Sequence, residues 1–160
     1  MAVDYFLKIE GIEGESTDDK HKNEIDLMSW SWGESNSGSH AGGGGGGAGK
    51  VAMNDFSFAM SMNKATPKLM LACATGQHIP SAILTCRKAG EEQQEYLKIT
   101  FTDLLVSSYQ TGGSSGAEIP IDSISLNFSK IEFGYKPQKK DGTLDAEVKA
   151  GYDLKLNKKV

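Results

Sequence analysis

A run of glycines followed by a lysine is the feature of this sequence that comes nearest to a chemical motif. Residues 42–50 read GGGGGGAGK, so Gly44, Gly49 and Lys50 match the G-x-x-x-x-G-K start of a phosphate-binding loop. Val51 follows, where the motif needs a Ser or Thr hydroxyl for Mg²⁺. A Ser/Asn/Gly stretch precedes the run and a strand pattern follows it, whereas the motif joins a buried strand to a helix. The sequence therefore argues against nucleotide binding. It favours a flexible connector over residues 36–49, which is either idle or orders on meeting a partner.

The cysteines and histidines do not fall into the spacing of a known site. Cys73 and Cys86 belong to no CxxC pair, so we interpret them as two buried thiols, with a disulfide as the minor alternative. His21, His40 and His78 are scattered, and none stands near a nucleophile at motif spacing. Neither G-x-S-x-G nor H-E-x-x-H occurs. We therefore expect no catalytic residue, no metal site and no cofactor.

Length and charge narrow the classes of function. The chain has 160 residues and a formal charge of −4, which fits one domain over residues 1–160 and argues against nucleic acid as a partner. No apolar run approaches the roughly 18 residues of a membrane span, so membrane insertion is not expected. Residues 1–11 lack the cationic start and apolar core of a secretory signal peptide.

Alternating apolar and polar residues predict that strands dominate the fold. The predicted strands cover residues 3–9, 24–34, 50–62, 79–88, 94–109, 118–135 and 146–157. The short link after residue 88 predicts a hairpin, and KKDG at 139–142 predicts a turn. The apolar phase changes within 118–135, which predicts a bulge or a bend near Ser129–Lys130.

One helix interrupts the strands at about residues 66–75. Thr66 is the expected N-cap, Pro67 suits the first helical position, and Gly76 supplies a C-terminal stop. Long strands that each bury one face favour a barrel or a sandwich, because closure removes exposed edges.

The residues that carry a family resemblance are spread over the whole chain. In order they are MAVDYFLKIEGIEGES, EIDLMSWSWGES, the glycine loop into GAGKV, TPKLMLACATG, RKAG, EYLKITF and LVSSYQTGG. With these motifs the sequence resembles the haemolysin-coregulated protein (Hcp) family. The resemblance implies a mainly β fold: a small β-barrel of two antiparallel sheets with one short α-helix, similar to phage tail-tube proteins.

The resemblance also implies a structural role in the type VI secretion system rather than an enzymatic one. Family members form hexameric rings that stack into the inner tube of that system. The implied partners are further copies of the chain, a spike protein at the tube tip, a contractile sheath and small effector proteins carried in the ring lumen. The implied location is the bacterial cytoplasm, followed by export through the type VI system without a signal peptide.

Two sets of residues are candidates for sites within such a ring. Ser29 and Ser31 alternate with Met28, Trp30 and Trp32, so they point away from the core and are predicted to line the lumen and bind effectors. A polar outer surface is the alternative for these serines. The predicted ring-stacking loop contains Gly42, Gly43, Gly44, Gly45, Gly46 and Gly47.

Three further possibilities stay open at the level of sequence. A monomeric β-barrel that binds a ligand has the same size and strand content. An enzyme would need a clustered acid and base, which the sequence does not reveal. Charge is also uneven, since residues 1–34 carry −6 and residues 136–160 carry +3. One interpretation is that the two ring faces carry opposite charge and stack on each other. The other is that both segments are ordinary solvated surfaces of mixed charge.

Overall fold

The computed structural model describes residues 3–38, 49–88 and 93–160, and within them the chain is mainly β with one helix. The predicted fold class is therefore confirmed. The strands are β1 (Val3–Ile9), β2 (Ile25–Asp26), β3 (Ser29–Ser31), β4 (Glu34–Asn36), β5 (Val51–Met53), β6 (Phe56–Ser61), β7 (Ile79–Lys88), β8 (Gln94–Gly112), β9 (Ile121–Tyr135), β10 (Val148–Asp153) and β11 (Lys158–Lys159), and the helix is α1 (Thr66–Thr75).

The strands form two antiparallel sheets. The larger has the order β11-β10-β9-β8-β7-β1-β2, and β9 also pairs with β6, which in turn pairs with β3. Strands β4 and β5 form the second sheet. The larger sheet does not close into a barrel. The chain therefore has the predicted fold class, but the sheet keeps open edges.

Strand β8 is the longest element and joins two parts of the sheet. Its first half pairs with β7 in the predicted hairpin, up to the pair Ile79 and Leu104. Its second half pairs only with β9 among the described strands. The predicted irregularity near Ser129–Lys130 of β9 is present, because the buried side chains change phase between Phe128 and Ile131. Opposite Ser129, Asp103 of β8 is in the left-handed region, with φ of 59°, and the two residues do not pair. The pairing of β8 with β9 also shifts in register between Val106 and Ser108, which was not predicted.

The predicted strands at 24–34 and 50–62 are each broken. Ile25 and Asp26 pair with β1, whereas Ser29–Ser31 pair with β6, so the chain changes partner between them. At the change, Leu27 donates its N–H to the Tyr5 carbonyl and Met28 donates to Ala59. The last predicted strand, 146–157, is shorter than expected, since β10 ends at Asp153, residues 154–157 form a turn, and β11 follows beyond the predicted end. The turn at residues 139–142 is confirmed, with the Gly142 N–H bonded to the Lys139 carbonyl and φ of 90°.

Helix α1 has the predicted bounds but not the predicted N-cap. The cap residue is Ala65, which offers no side-chain hydrogen bond, and Thr66 is already helical. The Thr66 hydroxyl instead donates to the buried carboxylate of Asp122 on β9, at 2.6 Å. Gly76 ends the helix in the left-handed region as predicted.

The core lies between the sheet and the helix. An aromatic cluster occupies its centre, where the Phe101 ring lies 4.6 Å from Phe56 and 5.0 Å from Phe128. Leu69 and Ala72 bring the inner side of α1 onto the same core. Burial of this apolar surface is the main stabilising term.

Candidate functional site: a serine-lined face of the sheet

Four neighbouring strands, in the order β3-β6-β9-β8, present small polar side chains on one side. Their register aligns these side chains in two rows across the strands. One row is Ser29, Ala59, Ser123 and Gln110, and the other is Ser31, Ser57, Ser125 and Ser108. We call these eight residues the serine face.

The period of the strands produces this face. Successive side chains of a strand point to opposite sides of the sheet. When every second residue is a serine on the solvent side, the residues between the serines point into the core. Phe58 and Ile124 are buried behind the face. Trp30 packs there as well, with its ring 6.2 Å from those of Tyr5 and Phe56.

The serine face is uncharged and open to solvent. A depression of about 330 Å³ lies over it, and the Ser57 and Ser125 hydroxyls are hydrogen-bonded at 3.0 Å. Hydroxyls both donate and accept hydrogen bonds, so such a surface can contact many partners without selecting one charge. Neither row contains an acid–base pair. In residues 3–38, 49–88 and 93–160, no group of three or more His, Cys, Asp or Glu is arranged to hold a metal ion.

The predicted residues Ser29 and Ser31 both lie on this face and are exposed. Sequence reasoning did not name the other serines of the face that lie on β8 and β9, which are Ser108, Ser123 and Ser125. The signal for two of them is the alternation of residues 123–127, where Ser123, Ser125 and Asn127 alternate with Ile124 and Leu126. The pairing that places them beside β6 could not be read from that pattern.

Strands β4 and β5 extend the β3–β6 ribbon, and we call them the arm. A groove of about 730 Å³ separates the arm from β9 and β10. Trp32 and Met53 line it from the arm side, and Phe133 and Tyr152 from the opposite side. The predicted ring-stacking residues Gly42 to Gly47 lie outside the described residues, as does His40.

Arg87 of β7 carries a buried positive charge, since the residue is 2% exposed. Its guanidinium donates to both carboxylate oxygens of Asp18, at 3.0 and 2.6 Å, and to Asp4 at 3.0 Å. These hydrogen bonds lower the pKa of Asp18 to about 2 and raise the pKa of Arg87. The group fastens the loop between β1 and β2 to the sheet. We interpret it as a structural ion pair, because both oxygens of Asp18 and one oxygen of Asp4 accept hydrogen bonds from the arginine.

Two other polar groups also hold loops in place. His21 contacts Glu24 at 2.9 Å and Glu95 at 2.6 Å, and its ring stacks on Phe6 at 4.4 Å. Asp103 contacts Lys155, His78 and Ser129, and the first two bonds lower its pKa to about 2.

Both cysteines are free, in agreement with the predicted thiols. Cys86 is buried, and burial raises the pKa of its thiol to about 12, so the sulfur stays protonated and unreactive at neutral pH. Cys73 is half-buried on α1. Among the described residues, no helix has the length and apolar character needed to cross a membrane.

Comparison with known proteins gives consistent matches along the chain. A family model described as "Type VI secretion system effector, Hcp" matches residues 6–135. Protein hcp1 of Pseudomonas aeruginosa is 54% identical over 159 residues, which cover 98% of each chain.

Solved structures share both the sequence and the fold. Hcp1 from Salmonella typhimurium is 42% identical with a TM-score of 0.80, and the match covers all of both chains. A structure described as "a type six secretion system protein" is 31% identical with a TM-score of 0.94. That match covers 99% of this chain and 100% of the other.

Proposed function

Because the chain belongs to the Hcp family and is a tube protein of the type VI secretion system, we propose that it assembles into hexameric rings whose lumen is lined by the serine face. In this proposal the rings stack into a tube, and the lumen holds small effector proteins. The observation that carries the proposal is the four-stranded layer β3-β6-β9-β8, which combines a hydrated face with two open edges.

The open edges favour assembly of copies side by side. The second half of β8, residues 105–112, pairs with β9 on one edge, and no described strand pairs with its other edge. At the opposite side of the layer, β3 pairs only with β6 within the described part of the chain. Neither edge contains a proline, a lysine or another charged residue, which are the residues that commonly block the addition of a further strand. Both edges are therefore suited to receive a further strand.

The strand directions permit a closed ring. All neighbours in the layer are antiparallel, so β3 and β8 run in opposite directions. A second copy in the same orientation can place its β3 beside β8 of the first and keep the antiparallel pattern. Such a contact joins two different patches, and a heterologous contact of this kind forms a ring when the rotation closes.

Light scattering tests the ring directly. We expect a mass of about six times 17.2 kDa at micromolar concentration, with a ring and a central hole in negative-stain images. A single species of 17.2 kDa would reject the ring. It would favour the alternative of a monomeric ligand-binding β-barrel, which the groove of about 730 Å³ with its aromatic lining also supports.

Cargo binding is tested by enlarging one serine of the face. Ser31→Gln fills space on the face without adding charge, so the ring should persist while a co-expressed effector is retained severalfold less. Ser114→Gln makes the same change at an exposed serine in the loop between β8 and β9, and it should retain the effector like the unchanged protein. Equal retention by both variants would remove the support for effector binding at the serine face.

The remaining features of the proposal follow the family. A single tube domain over residues 1–160 would lie within a contractile sheath, carry a spike protein at the tube tip, and leave the bacterial cytoplasm through the type VI system without a signal peptide. The loop at Gly42–Gly47 would contact the next ring. Shortening it to two residues should preserve rings but impair tubes and secretion, and normal secretion would show that the loop is dispensable.

A further inference from the structure

Helix α1 runs beside the open edge of β8. At its start, the Thr66 hydroxyl bonds to Asp122, and Asp122 pairs with Thr111 near the end of β8. Just beyond its end, Ile79 pairs with Leu104. The helix therefore runs along the second half of β8, from near Thr111 back to near Leu104, and packs against that strand.

The outer side of α1 exposes two large apolar side chains. Leu69 and Ala72 point into the core, whereas Met70 is 49% exposed and Leu71 is 56% exposed. An adjacent exposed pair of this size is a typical feature of a contact surface when it borders an unpaired strand edge.

A matching concave surface lies at the other edge of the same layer. Strand β3 leads directly into the arm, so the groove between the arm and the body lies next to the open edge of β3. Its lining combines aromatic and apolar residues (Trp32, Met53, Phe133 and Tyr152) with the polar residues Glu34, Asn36, Lys50 and Asn157. Exposed apolar side chains of α1 thus lie near β8, and a partly apolar groove lies near β3.

We infer that the exposed side of α1 in one copy docks into the groove between arm and body in the next copy. The inference rests on the proposed ring, since it uses the pairing of β3 with β8. In an antiparallel pair, the C-terminal end of β3 lies beside the N-terminal end of the β8 segment that it joins. The arm of one copy therefore comes next to the C-terminal half of α1 of its neighbour, which begins at Leu71, with Met70 directly before it. A second copy of the chain is the occupant that can pair with the open strand edge and fill the groove at the same time.

Charge substitution on the helix tests this contact. Leu71→Lys replaces an apolar contact by an ammonium group that must lose water on docking, so the concentration needed for half-assembly of the ring should rise by about tenfold or more. Ile119→Lys is the matched control, because Ile119 is 52% exposed in the loop between β8 and β9 and lies on neither surface. The Ile119→Lys variant should form rings as the unchanged protein does. Light scattering over a dilution series measures the assembly of both variants.

A second pair of variants approaches the contact from the groove. Ala150→Trp fills the groove from β10 and should weaken the ring in the same way as Leu71→Lys. In a Cys73→Ser background, subunits with Leu71→Cys mixed with subunits with Ala150→Cys should form disulfide-linked dimers on oxidation, whereas either variant alone should not. The cross-link decides the question even if one of the larger substitutions impairs folding.

The outcomes separate this inference from the proposed ring. Rings that tolerate both Leu71→Lys and Ala150→Trp, together with no cross-link in the mixture, would overturn the docking of α1 while leaving the ring intact. A monomeric unchanged protein would instead reject the ring itself. Loss of the ring in both variants, with Ile119→Lys unaffected and the cross-link present, is the result that we expect.

Discussion

Replacing Asp18 by asparagine should destabilise the subunit, because it removes the main partner of a buried charge. Arg87 is 2% exposed and lies 4.8 Å from the centre of the Phe6 ring, so its guanidinium has little access to water. Asp18 accepts two of its hydrogen bonds, and Asp4 accepts one at 3.0 Å. The amide of Asp18→Asn keeps the size of the side chain but leaves the charge with Asp4 alone.

The pKa of Asp18 gives the expected size of the loss of stability. The bonds from Arg87 lower it from the ordinary value of 3.8 to about 2, and the side chain is only 19% exposed, so solvent screens the pair weakly. A lowering of that size corresponds to about 2 kcal/mol of folding free energy at neutral pH. Since the pKa is lower in the folded state, this stabilisation is complete above about pH 4 and is lost as the pH falls towards about 2.

Urea unfolding followed by tryptophan fluorescence measures the effect, at one protein concentration and with the oligomeric state checked for each variant. At pH 7 Asp18→Asn should lower the free energy of unfolding by about 2 kcal/mol, and the difference should shrink as the pH falls below 4. Asp19→Asn changes the exposed neighbouring residue and should stay within about 0.5 kcal/mol of the unchanged protein. An Asp18→Asn variant as stable as Asp19→Asn, or a difference that does not vary with pH, would refute the reasoning.

Three further outcomes are expected. Asp122→Ala should lower the free energy of unfolding by about 2 kcal/mol in urea, because the hydroxyls of Thr66 and Tyr109 lose their common acceptor; an unchanged value would show that this carboxylate does not hold the helix. Gly76→Ala should cost about 1 kcal/mol and lower the melting temperature, because Gly76 has φ of 66°; an equal melting temperature would contradict strain at the helix end. Association between rings, measured by sedimentation, should weaken from about 0.1 to 1 M salt while each ring survives; stacking that strengthens would indicate an apolar surface instead of a charged one.

The sequence alone predicted those features of the fold that depend on residues close together in the chain. Pro67 and Gly76 set the helix bounds, and the alternation around Trp30 placed Ser29 and Ser31 on the solvent side. The N-cap prediction failed because the Thr66 hydroxyl bonds to a distant partner, the buried carboxylate of Asp122, which lies 56 residues later in the chain.

The features that sequence could not provide depend on pairing between distant segments. The strand predicted at 24–34 is broken because its two ends have different partners, β1 and β6, and the alternation of side chains does not record a change of partner. The burial of Arg87 depends on Asp4 and Asp18, which lie 83 and 69 residues away. Likewise, the serine face exists only because the register aligns β3, β6, β9 and β8.

The position of the serine face in the assembled ring tests the proposed function most directly. In a Cys73→Ser background, Ser123→Cys gives an exposed thiol on the face, which can be labelled with a small gold cluster and imaged by electron microscopy. We expect sixfold rings with the label inside the central hole, while the same label at Lys149→Cys of β10, a residue outside the face, should not enter the hole. Label from Ser123→Cys on the outer rim would contradict the lumen assignment, and particles without a hole would contradict the ring.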